Sequence, residues 1–275
     1  MTDIIFLKLG GSVITDKMVP YSPRLDSLDR LGHEIHSALV NRPSMQLVIG
    51  HGSGSFGHYA VKESLAPHPY PPPAGAAPDA ARDFWHGFAE VWYRASQLNR
   101  YVVEALHNAG VPVISFAPSA MATAENGAIK TWDAAPVRKA LQSGLVPVIY
   151  GDIAFDSVKG GTILSTEMLM FRLAHELRPS AILLAGLEAA VWADFPARER
   201  RLERITPRDF ASLAAGIGGS HGTDVTGGML SKVRGMVNLV HARPSLRIHI
   251  ISGEIPGNVA SALAGSDSRI GTLIH

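Results

Sequence analysis

Lys8-Leu9-Gly10-Gly11-Ser12 and His51-Gly52-Ser53-Gly54-Ser55-Phe56-Gly57-His58 decide how this chain reads. Each glycine-rich stretch directly follows an apolar run, residues 4–9 in the first case and 47–49 in the second, so each is expected to turn at the end of a strand. Glycine in such a turn lets backbone N–H groups approach phosphate oxygens that a side chain would hold off. Two cradles in one chain predict phosphoryl transfer between two phosphate-bearing molecules. Neither is a Walker A loop, because the spacing GxxxxGK[ST] is absent from both.

The 275 residues carry 25 basic and 24 acidic side chains, a formal net charge of +1. No run of Lys or Arg would track a nucleic-acid backbone or an anionic membrane, so neither is an expected partner. The segment Arg198-Glu199-Arg200-Arg201-Leu202-Glu203-Arg204 mixes both signs and reads as a solvated loop. Cysteine is absent, which excludes a disulfide framework, a thiolate zinc site and a cysteine nucleophile. Asp3 stands where a signal peptide would be basic, and no apolar stretch reaches the roughly 18 residues that a membrane span needs. A cytoplasmic protein is expected.

Further apolar, β-branched runs at residues 111–116, 146–150, 181–185 and 248–251 are continuous rather than alternating, as in strands covered on both faces. Helical spacing fills the intervals. Leu28, Leu31, Ile35 and Leu39 follow a cap expected at Asp26 or Ser27, and Asp133 starts a segment carrying Val137 and Leu141 that ends at Gly144. Met229, Val233, Met236, Val237 and Val240 form another apolar stripe, with the methionines read as core. The alternation predicts an α/β fold with a mainly parallel central sheet and helices on both faces. Ligands then belong at the carboxyl ends of the strands, where both glycine turns fall. The stretch His68-Pro69-Tyr70-Pro71-Pro72-Pro73-Ala74-Gly75 reads as an extended surface connector. A helix end near Arg178-Pro179 divides one domain, residues 1–275, into lobes 1–178 and 179–275.

Transfer of a γ-phosphoryl group needs positive charge around an oxyanion-rich transition state and little covalent work by the protein. Lys8 ends the first strand, where a charge is costly without an anionic partner. Lys17 follows the first turn, and Lys232 lies in Asp224-Val225-Thr226-Gly227-Gly228-Met229-Leu230-Ser231-Lys232. His58 closes the second turn, where its imidazole can donate to acceptor-phosphate oxygens, while His51 opens that turn and reads as a brace. Asp152, in Tyr150-Gly151-Asp152, ends another strand and suits orienting lysines or reaching a magnesium shell through water. No spacing of His or carboxylates suggests a protein-built metal site, so any Mg²⁺ is expected to ride mainly on nucleotide phosphates.

In this order the motifs resemble the amino acid kinase superfamily and, within it, the isopentenyl phosphate kinases. The matching stretches are KLGGSVITDK at 8–17, Val19-Pro20-Tyr21-Ser22, HGSGSFGHY at 51–59, VPVIYGD at 146–152, DVTGGMLSK at 224–232 and GTLI at 271–274. The resemblance implies an open αβα sandwich, usually a homodimer, that binds ATP and a small phosphomonoester head to head. It implies that Lys8, Gly10, Gly11 and Ser12 hold nucleotide phosphates and that Lys17 stabilises the transferring phosphoryl group. Gly52, Ser53, Gly54, Gly57 and His58 would bind acceptor phosphate and nearby ATP oxygens, with Gly151 adjoining them. Gly227, Gly228 and Lys232 would reach ATP from the far lobe. Phe84 and Phe88, in an aromatic helical stretch continuing to Leu106, would line a pocket for the acceptor's hydrocarbon tail.

The implied reaction is phosphorylation of isopentenyl phosphate by ATP with Mg²⁺, the first lobe binding acceptor and the second nucleotide. A kinase for another small phosphate or phosphonate, such as a fosfomycin-type antibiotic, and a nucleotide-binding sensor without chemistry are the alternatives. The chain departs from the resemblance twice. Ser165-Thr166-Glu167-Met168 stands for the usual Ser-Gly-Asp-Asp, with Glu167 a longer substitute, and Leu187-Glu188-Ala189-Ala190-Val191-Trp192 replaces Thr-Asp-Val-Asp-Gly-Val. Trp192 either stacks near the base or fills the core.

Overall fold

The computed structural model describes residues 3–72, 75, 77–218, 228–265 and 270–275. The first part of the chain forms β1 (Asp3–Leu9), α1 (Gly11–Ile14), α2 (Leu25–Asn41), β2 (Met45–His51), α3 (Gly54–Ala60), a π-helical turn (Val61–Leu65), α4 (Ala80–Asn108), β3 (Val113–Ser115) and α5 (Pro118–Met121). There follow β4 (Ala122–Glu125), β5 (Ala128–Trp132), α6 (Ala135–Gln142), β6 (Val146–Tyr150), β7 (Asp152–Asp156), β8 (Gly160–Leu164) and α7 (Thr166–Leu177). The remainder comprises β9 (Ala181–Gly186), β10 (Val191–Trp192), β11 (Arg201–Leu202), β12 (Arg204–Ile205), α8 (Phe210–Leu213), α9 (Gly228–Ala242), β13 (Arg247–Ser252), α10 (Asn258–Ala264) and β14 (Thr272–Ile274).

The central sheet has eight strands in the order β12-β14-β13-β9-β1-β2-β6-β3. From β13 through β3 every neighbouring pair is parallel, and these are the strands expected from the apolar runs. β14 closes the sheet antiparallel to β13, and β12 pairs with β14. β1 and β9 join the part of the sheet built before residue 178 to the part built after it.

Two-residue periodicity sends alternate side chains of β1 to opposite layers. Ile5, Leu7 and Leu9 share a core with Leu28, Leu31 and Ile35 of α2 and Leu98 and Val102 of α4. Phe6 belongs to the opposite core, with Leu169 and Leu173 of α7 and Val233 and Val237 of α9. Lys8, two residues past Phe6, therefore faces the α7 side. The result is an αβα sandwich whose strands end at one common edge, with the glycine turns leaving β1 and β2 there.

Three local expectations change. The second helix begins at Leu25 with Arg24 at its N-cap and no side-chain cap; Asp26 instead lies in the first turn, where its charge complements the helix dipole. The mixed-charge segment 198–204 is solvated as expected, but it contributes β11 and part of β12 rather than a plain loop, because Leu202 packs against the core between exposed charges. The four-stranded sheet β5-β4-β7-β8 has no counterpart among the expected strands, since β4, β5 and β8 are short and partly exposed and the apolar run of β7 is only three residues long.

That small sheet is tied together by Asp156. Its carboxylate accepts from the N–H groups of Asn126, Gly127, Val158 and Lys159 at 2.7–3.0 Å, closing the β4–β5 and β7–β8 turns at once. Desolvation pushes its pKa up, but the backbone donors outweigh that and hold it at about 2. A depressed carboxylate contributes stability above its unfolded pKa of about 4 and loses it as pH falls toward the folded value. Asp156→Asn should therefore lower the urea midpoint at pH 7, with the gap from wild type narrowing below pH 4. A gap that stays constant down to pH 3 would assign the effect to something other than this charge.

Candidate active site

The parallel register places Lys8 beside Gly50 and Leu9 beside His51, so both turns leave the sheet at one level. They meet backbone to backbone. A Cβ on Gly11 would lie 2.5 Å from Gly54 N, and one on Gly52 would lie 2.9 Å from Gly11 N, distances that no side chain can occupy. Gly54 is a position where conformation also demands glycine, with φ of 50°. The spacing of Gly52, Gly54 and Gly57 is that of a G-x-G-x-x-G turn, and Gly57 leaves room for the Ser53 hydroxyl, which a Cβ would approach to 2.2 Å.

Fixed partners hold this junction. Gly10 N–H donates to Ala185 O at 2.8 Å, Gly52 N–H to Leu9 O at 3.0 Å, and Ser55 N–H to Thr15 Oγ1 at 3.0 Å. Thr15 Oγ1 in turn donates to Gly11 O at 2.7 Å, linking the two turns. Gly11, Ser12 and Gly54 are first-turn residues of α1 and α3, so their N–H groups have no intrahelical acceptor. The arrangement gathers uncommitted donors from two turns around one point, as two polyanions require.

Lys8 finds its anion on α7. Its Nζ donates to Glu167 Oε1 at 2.5 Å, and the two side chains are only 14% and 22% exposed. Ser165 caps α7 by accepting from Met168 N–H at 3.2 Å, which puts Glu167 in the first turn. The helix reaches the sheet because Gly50 has no side chain; a Cβ there would lie 2.8 Å from both Met170 Sδ and Thr166 Cγ2. Thr166 Oγ1 then donates to His51 O at 2.7 Å, locking α7 to the second turn. Burial alone would raise the pKa of Glu167, but the Lys8 ammonium and its hydrogen bond, with the charge of Lys232, hold it below the ordinary glutamate value. Glu167, Lys232, Ser165 and Ser231 also line a cavity of about 150 Å³ between α7 and α9.

The other expected residues are distributed around this centre. His51 is fully buried, with Nδ1 3.1 Å from Gly52 O and Nε2 3.2 Å from Asn99 Oδ1, a brace as expected. His58 is exposed on α3. Lys17 is exposed in a turn anchored on α3, where Tyr59 Oη donates to Met18 O at 3.3 Å and Ser22 N–H to Ser55 Oγ at 3.3 Å. Asp152 is buried and accepts from the backbone N–H groups of Ser119 and Ile153, so the carboxylate that meets a lysine is Glu167 instead. Desolvation raises the pKa of Asp152. Gly151 N–H donates to His51 O at 3.2 Å, behind the second turn. Gly228 is buried at the start of α9 with φ of 71°, whereas Gly227 lies outside the described residues, as do Asp224, Val225 and Thr226.

Phe84 and Phe88 are 5% and 4% exposed and share an apolar cluster with Ala60, two residues beyond His58, and with Val91 and Ile153. Trp85, Tyr70 and Phe155 pack their rings around them. Tyr70 thus joins the proline-rich connector to the aromatic cluster. Trp92 and Tyr93, from the same helical stretch, are 42% and 49% exposed and lie outside it.

The profile of the Amino acid kinase family matches residues 3–252. The chain is 34% identical to the isopentenyl phosphate kinase of Methanothermobacter thermautotrophicus over 278 residues, covering 98% of each. It is 30% identical to the isopentenyl phosphate kinase of Methanocaldococcus jannaschii, covering 95% of each. A solved structure of isopentenyl phosphate kinase, 30% identical, aligns with a TM-score of 0.80 over 99% of this chain and 100% of the other. The chain belongs to the amino acid kinase family.

Within that family frame the two departures have a structural form. Glu167 spans the distance to Lys8 with its longer side chain. In the 187–192 segment, Val191 N–H donates to Thr272 Oγ1 at 2.8 Å, while Trp192 Nε1 donates to Glu188 Oε2 at 3.2 Å. The other Glu188 oxygen pairs with Arg198 at 2.8 Å, so Trp192 is bound to its own loop.

Substitutions at Gly11, Glu167 and Lys8 test the centre. Gly11→Ala should cost about 1–3 kcal/mol in urea unfolding, because the new methyl group meets backbone rather than a movable side chain. Glu167→Gln should cost about 1–3 kcal/mol by leaving the Lys8 ammonium without its anion, and adding Lys8→Met should recover part of that loss. Strictly additive losses in the double variant would mean that the two side chains do not stabilise each other.

Proposed function

We propose that this chain catalyses ATP-dependent phosphorylation of isopentenyl phosphate to isopentenyl diphosphate by direct in-line transfer. The observation that carries this reading is the packed pair of glycine turns with the Lys8–Glu167 pair on one side and an apolar aromatic cluster beside α3 on the other. An acceptor phosphate oxygen, already ionised at neutral pH, attacks the γ-phosphorus and expels ADP, so no general base is needed. Lys8, with the Gly10, Gly11 and Ser12 backbone, holds the nucleotide phosphates, and Gly227, Gly228 and Lys232 approach from the second lobe. Gly52, Ser53, Gly54, Gly57 and His58 hold the acceptor phosphate, with Gly151 supporting the turn. Donors from both sides offset the repulsion between two anions as they approach.

Lys17 supplies charge to the transferring group from the turn anchored on α3. Glu167, rather than Asp152, holds and aims the Lys8 ammonium until phosphate arrives. Asp152 then serves by holding the backbone around Ser119 and Ile153. Phe84 and Phe88 form the floor against which the five-carbon tail packs. Among the described residues no group of three or more His, Asp or Glu could hold a metal ion. On this reading Mg²⁺ rides on the ATP phosphates, where it would supply further charge neutralisation. Residues 1–178 form the acceptor-binding lobe and 179–275 the nucleotide-binding lobe of one domain, working as a cytoplasmic homodimer. No helix among the described residues is long and apolar enough to cross a membrane.

ADP release with ATP and Mg²⁺ should be selective for isopentenyl phosphate and dimethylallyl phosphate over fosfomycin and N-acetylglutamate. Selective turnover of fosfomycin would keep the transfer chemistry and replace the substrate, and no turnover with any acceptor would favour a sensor. His58→Ala should lower kcat about 10²-fold with the thermal midpoint preserved, the order expected for one lost transition-state donor. Near-normal kinetics would remove His58 from the acceptor site.

A further inference from the structure

His51 lies beneath the second turn, fully buried and stacked on Tyr150 with ring centroids 5.5 Å apart. Its two ring nitrogens face two oxygens, Gly52 O at 3.1 Å from Nδ1 and Asn99 Oδ1 at 3.2 Å from Nε2. A neutral imidazole carries a single N–H, so one of these contacts would set a lone pair against a lone pair. A second ring proton is disfavoured, because desolvation holds the His51 pKa down at about 4. The partner of Asn99 resolves the conflict. Ser115 Oγ lies 2.8 Å from Asn99 Nδ2 and 3.1 Å from Asn99 Oδ1, and a hydroxyl can donate or accept.

The two ends of a carboxamide have nearly the same shape, so exchanging them moves no atom position. With the ends exchanged, Ser115 donates to the amide oxygen, the amide nitrogen donates to His51 Nε2, and His51 Nδ1–H donates to the Gly52 carbonyl. Each of these groups is then satisfied in one direction. The Gly52 carbonyl shares a peptide plane with the Ser53 N–H, and in a trans peptide the two point in opposite directions. Pulling the carbonyl toward His51 therefore points the Ser53 N–H away from the core. The neighbouring plane is held separately, by the bond from Gly52 N–H to Leu9 O at 3.0 Å.

We propose that Asn99 and Ser115 are positioning residues for the acceptor turn: they hold His51 as its Nδ1–H tautomer, and that proton, donated to the Gly52 carbonyl, aims the Ser53 N–H at bound phosphate. The link to phosphate rests on the acceptor site proposed above, whereas the tautomer does not.

Nitrogen-15 NMR of substrate-free, histidine-labelled protein at pH 7 reads the tautomer directly, with His51 assigned through its loss in His51→Gln. A protonated Nδ1 with a bare Nε2 is the expected result; an Nε2–H tautomer or an imidazolium overturns the proposal whatever substrate the enzyme takes. In kinetics, Ser115→Ala and Asn99→Leu should raise the KM for the phosphate acceptor about tenfold with a smaller change in kcat, and Ser115→Thr should restore it. Unchanged KM in Ser115→Ala, or no rescue by threonine, overturns the positioning role. Should Asn99→Leu fail to fold, Ser115→Ala still decides the matter, since it removes one hydroxyl from a half-buried site.

Discussion

Two backbones touching without side chains set the terms for the rest of this molecule. Gly11 meets Gly54 and Gly52 meets Gly11 at distances that exclude even one methyl group. The contact exists because β1 and β2 are parallel neighbours in register, so their turns rise from the sheet edge side by side. It also explains why the donors converge. Turns separated by side chains would present two distant sets of backbone donors, whereas turns in contact present one surface.

Charge enters that surface under tight constraint. Lys8 sits on a strand whose neighbours are core residues, and Glu167 supplies the opposite charge that its ammonium meets there. Glu167 arrives only because Gly50 lets α7 descend onto β2, and Thr166 then ties the helix to the His51 carbonyl. A packing feature, the missing side chain at Gly50, thus sets an electrostatic one.

Helix α4 connects the aromatic cluster to the second glycine turn. Its 29 residues extend about 43 Å at helical rise. Phe84 and Phe88, near its start, build the apolar cluster beside α3, and Asn99, four turns further on, reaches His51 under the glycine turn. The same rigid element therefore carries the aromatic cluster and the brace of the second glycine turn. Displacement of one would be felt by the other.

Much of the fold was legible in the chain alone. Continuous apolar runs ending in glycine turns are what a buried parallel sheet writes into a sequence, because both faces of each strand are covered. Lys8, Gly10 and Gly11 are legible for a related reason: a charge ending a buried strand and two glycines in the turn that leaves it break the apolar pattern. The small sheet β5-β4-β7-β8 leaves little trace in the sequence, since its strands are short and Asp156 closes both of its turns where no long apolar run marks them. Glu167, Thr166, Gly50 and Asn99 acquired meaning only in three dimensions. Their partners lie far away in sequence, 159 residues for Lys8 and Glu167 and 115 for His51 and Thr166, and no local spacing records such a meeting. Local chemistry determined where the glycine turns form, while the packing of α7 and α4 against the sheet decided which side chains surround and brace them.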